Sequence, residues 1–184
     1  MLTTEEKDEL ISIARAAVEA RLSNRKPVKA SRGGVLSRCQ GVFATIRRKG
    51  ELAGCIGYIQ SDRPLGEVVP EVAVKAAFED PRFAPLQPGD VDQISIELSL
   101  LSHLQRISTS AELQLGKHGL VIECGLHRGL LLPQVATEHG WDSETFIDSA
   151  FRKAGLSPAS RDDPDSVMYV FTAEVVTSDE VATR

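Results

Sequence analysis

Two β-rich runs, residues 41–48 and 51–59, are separated only by Lys49-Gly50, and a two-residue connection between strands of this kind implies an antiparallel hairpin. Counting outward from that turn pairs Arg48 with Glu51, Ala44 with Cys55 and Cys39 with Gln60. The register predicts Cys55 on one sheet face with Val42, Ala44, Ile46, Ala53 and Gly57, mostly small residues that let a neighbour come close to the backbone. Gly54 and Gly57 flank the cysteine, and glycine inside a strand marks a bulge or the approach of another backbone or a ligand. The same count argues against a Cys39–Cys55 disulfide. Cys39 opposes a position five residues beyond Cys55, about 16 Å away at ~3.3 Å per residue, whereas a disulfide needs Cα atoms within about 7 Å.

The remaining pattern alternates helices with strands. Residues 4–23 carry an apolar stripe of Leu10, Ala14, Ala17, Val18 and Leu22 behind a Thr3 or Thr4 cap, the signature of an amphipathic helix. Residues 24–38, with Pro27, Gly33 and Gly34, read as a long connecting loop that is also a candidate site cover. A second helix runs from Pro64 to Ala77, with Pro70 kinking it or marking its true start. Asp80-Pro81-Arg82-Phe83-Ala84-Pro85 is irregular, its two prolines holding Arg82 and Phe83 in nearly fixed directions. Ile94, Ile96, Leu98 and Leu100 alternate with polar residues, a half-buried strand with Glu97 on its wet side. A second hairpin spans 119–132 around Gly125-Leu126-His127-Arg128. Short helices start at Pro133 and at Asp142 or Ser143, and residues 167–175 close as one strand. The fold class is α+β, a largely antiparallel sheet flanked by helices.

At 184 residues, 42% hydrophobic and 26% charged, the composition is that of a globular chain with a substantial core. The net charge of −5 argues against a nucleic-acid partner. The basic trio Arg47-Arg48-Lys49 reads as a solvated hairpin tip. No secretory signal and no run of about 18 apolar residues is expected to engage a membrane. The expected compartment is the cytoplasm, where the three cysteines are reduced thiols.

Four stretches together, residues 52–57 (Leu-Ala-Gly-Cys-Ile-Gly), 77–83 (Ala-Phe-Glu-Asp-Pro-Arg-Phe), 94–99 and 128–136 (Arg-Gly-Leu-Leu-Leu-Pro-Gln-Val-Ala), resemble the AMMECR-type domain family in content and order. The resemblance spans about residues 41–175 and implies one such domain over 1–184, α+β, with a larger and a smaller subdomain and a groove near the cysteine motif. In prokaryotes members of the family are often system protein A of AmmeMemoRadiSam, beside a Memo-like protein and a radical S-adenosylmethionine protein, which makes those two the expected partners. The family carries no agreed reaction. Two positions depart from it: Ala53 stands where arginine is usual and Phe151 where cysteine is common. An arginine at 53 on the Cys55 face would favour the thiolate, so Ala53 leaves activation to Arg82, to Arg128 or to nothing.

Cys55 is the candidate nucleophile or redox thiol, against a plain reading as a small buried residue. Its candidate bases are His118, ahead of a strand, and His127, in a hairpin turn; His103 and His139 have weaker claims. Gly54, Gly57, Asp80, Arg82 and Arg128 are candidate ligand contacts, Arg82 either as an anion fork or as the partner of Asp80 or Glu79 in an internal bridge. Cys124 and His127 supply only two ligands, with His118 about 20 Å away along a strand, short of the four a structural zinc needs. No metal or cofactor is expected, and the glycines match neither a P-loop nor a dinucleotide fingerprint. Two functions follow. The favoured one is a binding or scaffold component; the alternative is a cysteine-dependent enzyme acting on a small anionic metabolite or a modified protein side chain.

Overall fold

A computed structural model describes residues 1–26 and 33–178; the middle of the predicted 24–38 loop, with Pro27, lies outside the described residues. Among these the chain forms helices α1 (Thr4–Leu22), α2 (Leu65–Phe78), α3 (Pro133–His139) and α4 (Ser143–Lys153). The strands are β1 (Val42–Arg48), β2 (Glu51–Tyr58), β3 (Ile94–Leu101), β4 (Gln105–Ile107), β5 (Gly119–Cys124), β6 (His127–Leu131), β7 (Ser166–Phe171) and β8 (Ala173–Thr177). The fold is α+β and antiparallel as expected, its strands forming two sheets of four, ordered β2-β1-β3-β8 and β4-β7-β5-β6. The chain divides into two compact units, Met1–Leu101 with the stretch that begins at Glu174, and Ser102–Ala173.

In the first unit α1 starts on a reciprocal cap, Thr3 Oγ1 accepting from the Glu6 N–H at 3.2 Å and Glu6 accepting from the Thr3 N–H at 2.9 Å, with acids at its positive end. Leu10, Ala14 and Val18 of α1 pack with Val68, Val72 and Ala73 of α2 and with Val42, Ala44, Ile46, Ile96 and Leu98 of the sheet, all fully buried. Helix α2 begins at Leu65, so Pro70 lies inside it and does not mark its start.

The β1–β2 turn is the two-residue one expected, with Lys49 at φ 53° and Gly50 at φ 83°, both left-handed as such a turn demands. The register is not. Arg48 faces Glu51 and Arg47 faces Leu52, but Ile46 then faces Gly54 and Thr45 faces Cys55. Ala53 is the extra residue of a β-bulge, and every side chain beyond it changes face relative to a straight count. Ala53 stays with Val42, Ala44 and Ile46 in the core, while Cys55 and Gly57 turn to the opposite face. Cys39 bridges Pro64 and not Gln60. All three cysteines are free thiols.

In the second unit Phe146, Ile147, Ala150 and Phe151 of α4 pack on Leu120 and Ile122 of β5 and Val170 of β7. Asp142 caps α4 by accepting from the Thr145 N–H at 2.8 Å. Phe151 is a buried core ring. The single strand expected over 167–175 is two strands in two sheets. It breaks at Thr172, whose N–H and C=O bond the Ser102 hydroxyl and N–H instead of continuing a ladder.

Candidate functional site

Strand β2 is the outer strand of the first sheet, and Cys55 sits at its middle. The Cys55 N–H donates to Asp80 Oδ2 at 2.9 Å, and Arg82 Nη2 donates to the Cys55 carbonyl at 3.1 Å. Both backbone groups therefore point away from β1, so Cys55 and Thr45 form a pair without mutual ladder bonds, the kind whose side chains lie closest. Thr45 Oγ1 donates to Cys55 Sγ at 3.4 Å. Thr45 also faces Glu97 on β3, which gives one row across three strands, Cys55, Thr45 and Glu97, on the face opposite the helices. Glu97 is half-buried between the core residues Ile96 and Leu98, on the polar side where the alternation predicts it.

The Asp80 carboxylate, its side chain 2% exposed, is held by Arg82. Arg82 Nε and backbone N–H donate to Oδ1 at 2.9 and 3.1 Å, and Nη2 donates to Oδ2 at 2.7 Å. Hydrogen bonding from Arg82 is the largest cause of an Asp80 carboxyl held well below the usual carboxylate range; burial opposes it, and the Cys55 and Arg82 backbone N–H groups reinforce it. The same bond raises Arg82 further, with a smaller contribution from the Cys55 sulfur nearby. Arg82 also lies over the Phe83 ring, 5.3 Å from its centre. Its side chain stays 57% exposed.

Both motif glycines have neighbours that require them. A Cβ on Gly54 would stand 1.8 Å from the Ala76 carbonyl oxygen of α2, and one on Gly57 would stand 2.3 Å from the Val42 oxygen and 2.5 Å from the Phe43 ring. The close approach is by this chain's own helix and strand. Toward the hairpin, a shallow open depression of about 70 Å³ is lined by Arg48, Glu51, Leu52, Ala53, Phe83 and Ala84.

The structure thus brings Gly54, Cys55, Asp80 and Arg82 together, with Gly57 two residues along the strand. All four histidines lie within the second unit, Ser102–Ala173. His118 Nδ1 accepts from the Gln114 N–H at 3.2 Å, and His127 Nδ1 lies 3.2 Å from the Ala154 oxygen. Arg128 pairs with Glu123 across the β5–β6 hairpin at 2.9 Å. Cys124 faces His127; among the described residues no three His, Cys, Asp or Glu side chains gather to hold a metal, and no helix is long and apolar enough to cross a membrane.

Two features escape the sequence reading. Thr45 meets Cys55 only through the bulge. The second is a polar staple at the end of β2. Tyr58 Oη donates to Glu71 Oε1 at 2.6 Å, Lys75 Nζ donates to Tyr58 Oη at 2.9 Å and to Glu71 at 2.8 Å, and Arg63 Nη1 donates to Glu71 Oε2 at 2.7 Å. Hydrogen bonds from Lys75 and then Tyr58 lower the Glu71 carboxyl to about 2. The Glu71 to Lys75 spacing of four on a helix is the signal that finds half of this staple.

Residues 11–176 match the AMMECR1 family model, so the match reaches back into α1, beyond the 41–175 stretch that the motifs mark. A protein of Methanothermobacter thermautotrophicus is 39% identical over 186 residues, covering 97% of each chain. One of Methanopyrus kandleri is 36% identical over 97% of this chain and 91% of its own. The crystal structure of an uncharacterized protein from Pyrococcus horikoshii superposes with a TM-score of 0.87 at 34% identity, covering 95% of this chain and 92% of that one.

Proposed function

The chain belongs to the AMMECR1 family, and from that premise we propose that it is a cytoplasmic binding or scaffold component that works with a Memo-like protein and a radical S-adenosylmethionine protein, docking through the sheet face that carries Cys55, Thr45 and Glu97. One observation carries the reading: the backbone of Cys55 is fixed from both sides by Asp80 and Arg82. Such an arrangement presents a rigid surface. Rigid presentation lowers the ordering cost of association.

The test is titration of the purified full chain with the purified Memo-like and radical proteins of the same genome. Saturable binding is expected. Cys55→Ser should keep affinity within about twofold, and Glu97→Lys should weaken it about tenfold or more through charge reversal at the contact. Absence of binding to either protein removes this reading. The alternative, a cysteine-dependent enzyme on a small anionic metabolite or modified side chain, is favoured by the Thr45 hydroxyl at Sγ. Alkylation of Cys55 with a midpoint well below about 8.5, the ordinary thiol value, would select it.

A further inference from the structure

The seven residues from Leu52 to Tyr58 contain no charged side chain and no proline, and Leu52 is 41% exposed. An outer strand of that composition lacks the lysines and prolines that usually keep an edge from pairing with another chain. Its protection must come from outside the strand. Residues 80–86 are placed to supply it. At Cys55 the Asp80 carboxylate accepts the N–H and the Arg82 guanidinium donates to the C=O, the two bonds that a neighbouring strand would make. Beside Leu52 and Ala53 lie Phe83 and Ala84. Pro81 and Pro85 have no N–H with which to extend a ladder, and the Leu86 N–H returns to α2 at the Ala77 oxygen, 3.0 Å away. The bulge at Ala53 further spoils the edge for pairing.

We infer that the segment Asp80–Leu86 is an edge guard, a strap that keeps β2 from pairing with the β2 of a second copy of this chain. A second copy is the occupant because antiparallel self-pairing of one edge is two-fold and needs no other sequence. The inference does not depend on the docking reading: it concerns the outer edge of β2, not the sheet face.

The experiment is sedimentation of the full chain with Asp80→Ala and Arg82→Ala combined, alongside exchange of the Cys55 amide. Relative to the unaltered chain, weight-average mass should rise about twofold between about 10 μM and about 500 μM, as mass action requires of a newly opened interface. The Cys55 amide should exchange fast at the low concentration and regain protection at the high one. Asp142→Ala, which uncaps α4 in the second unit and leaves β2 untouched, should leave the mass unchanged. Equal masses for the double variant and the unaltered chain overturn the inference, as does an equal rise in the Asp142→Ala control. If the double variant does not fold, Arg82→Ala alone frees the Cys55 carbonyl from an exposed side chain; a smaller rise in mass supports the guard, and none overturns it.

Discussion

One outer strand of each sheet, β2 and β6, is built on the same plan and finished differently. In β2, Gly54 lets the Ala76 oxygen of α2 approach; in β6, Gly129 lets α4 approach, a Cβ there standing 2.5 Å from the Ala154 nitrogen and 2.7 Å from the Ala150 oxygen. Both strands leave two-residue turns, at Lys49-Gly50 and at Gly125-Leu126. Only β2 has its mid-strand backbone capped by a buried carboxylate and a guanidinium. On β6 the polar contacts are the surface pair Arg128–Glu123 and the His127 ring at Ala154. The glycine sets how close a helix lies, and the caps fix one residue of the strand in place. Cys55 has both, whereas Cys124 lies at its hairpin's end.

The largest test of this contrast is steric. Gly54→Ala should cost about 3 kcal/mol and Gly129→Ala about 2, because each Cβ meets backbone that moves only with its helix; urea unfolding measures both. A cost below about 1 kcal/mol for Gly54→Ala would detach the cysteine's position from α2. Next comes the cap. Asp80→Ala leaves the Cys55 N–H without its acceptor and should cost about 2–3 kcal/mol, against less than about 0.5 for Glu123→Ala in an exposed pair. Equal losses would erase the difference between the two edges.

Acid sharpens the same point. Asp80 has a folded pKa below its unfolded value, so its stabilisation is complete above about pH 5 and declines as pH falls through about 3.9, the ordinary carboxyl value, toward the folded one. The stability gap between the unaltered chain and Asp80→Asn should therefore narrow from pH 7 to pH 2 in urea titrations. A gap that stays constant would mean that Asp80 acts by shape alone. The smallest effect expected is at the turn: Leu126 is fully exposed, and Leu126→Ser should change stability by no more than about 0.5 kcal/mol.

The hairpin of β1 and β2 was legible because Lys49-Gly50 leaves few alternatives, and the helices because their stripes and caps are periodic. The bulge was not, since nothing distinguishes Ala53 as the supernumerary residue in an unbroken β-rich run. Nor was the break at Thr172, where β-forming residues continue on both sides and the interruption comes from Ser102, distant in sequence. Asp80 and Arg82 could be read as a local pair from their spacing between prolines. Their bonds to Cys55 could not, because backbone N–H and C=O groups are the same at every residue and carry no mark in the sequence.

Strand β8 completes the first sheet beside β3, Val176 is fully buried in that unit's core, and Glu174 accepts the Leu2 N–H at 2.8 Å. The chain must therefore be synthesised through the whole of the second unit before the first can close. During translation α1, α2 and β1–β3 wait with a vacant place in their sheet, exposed to whatever meets the nascent chain, while the second unit has every strand it needs as soon as Phe171 has emerged. The order of synthesis and the order of completion run in opposite directions.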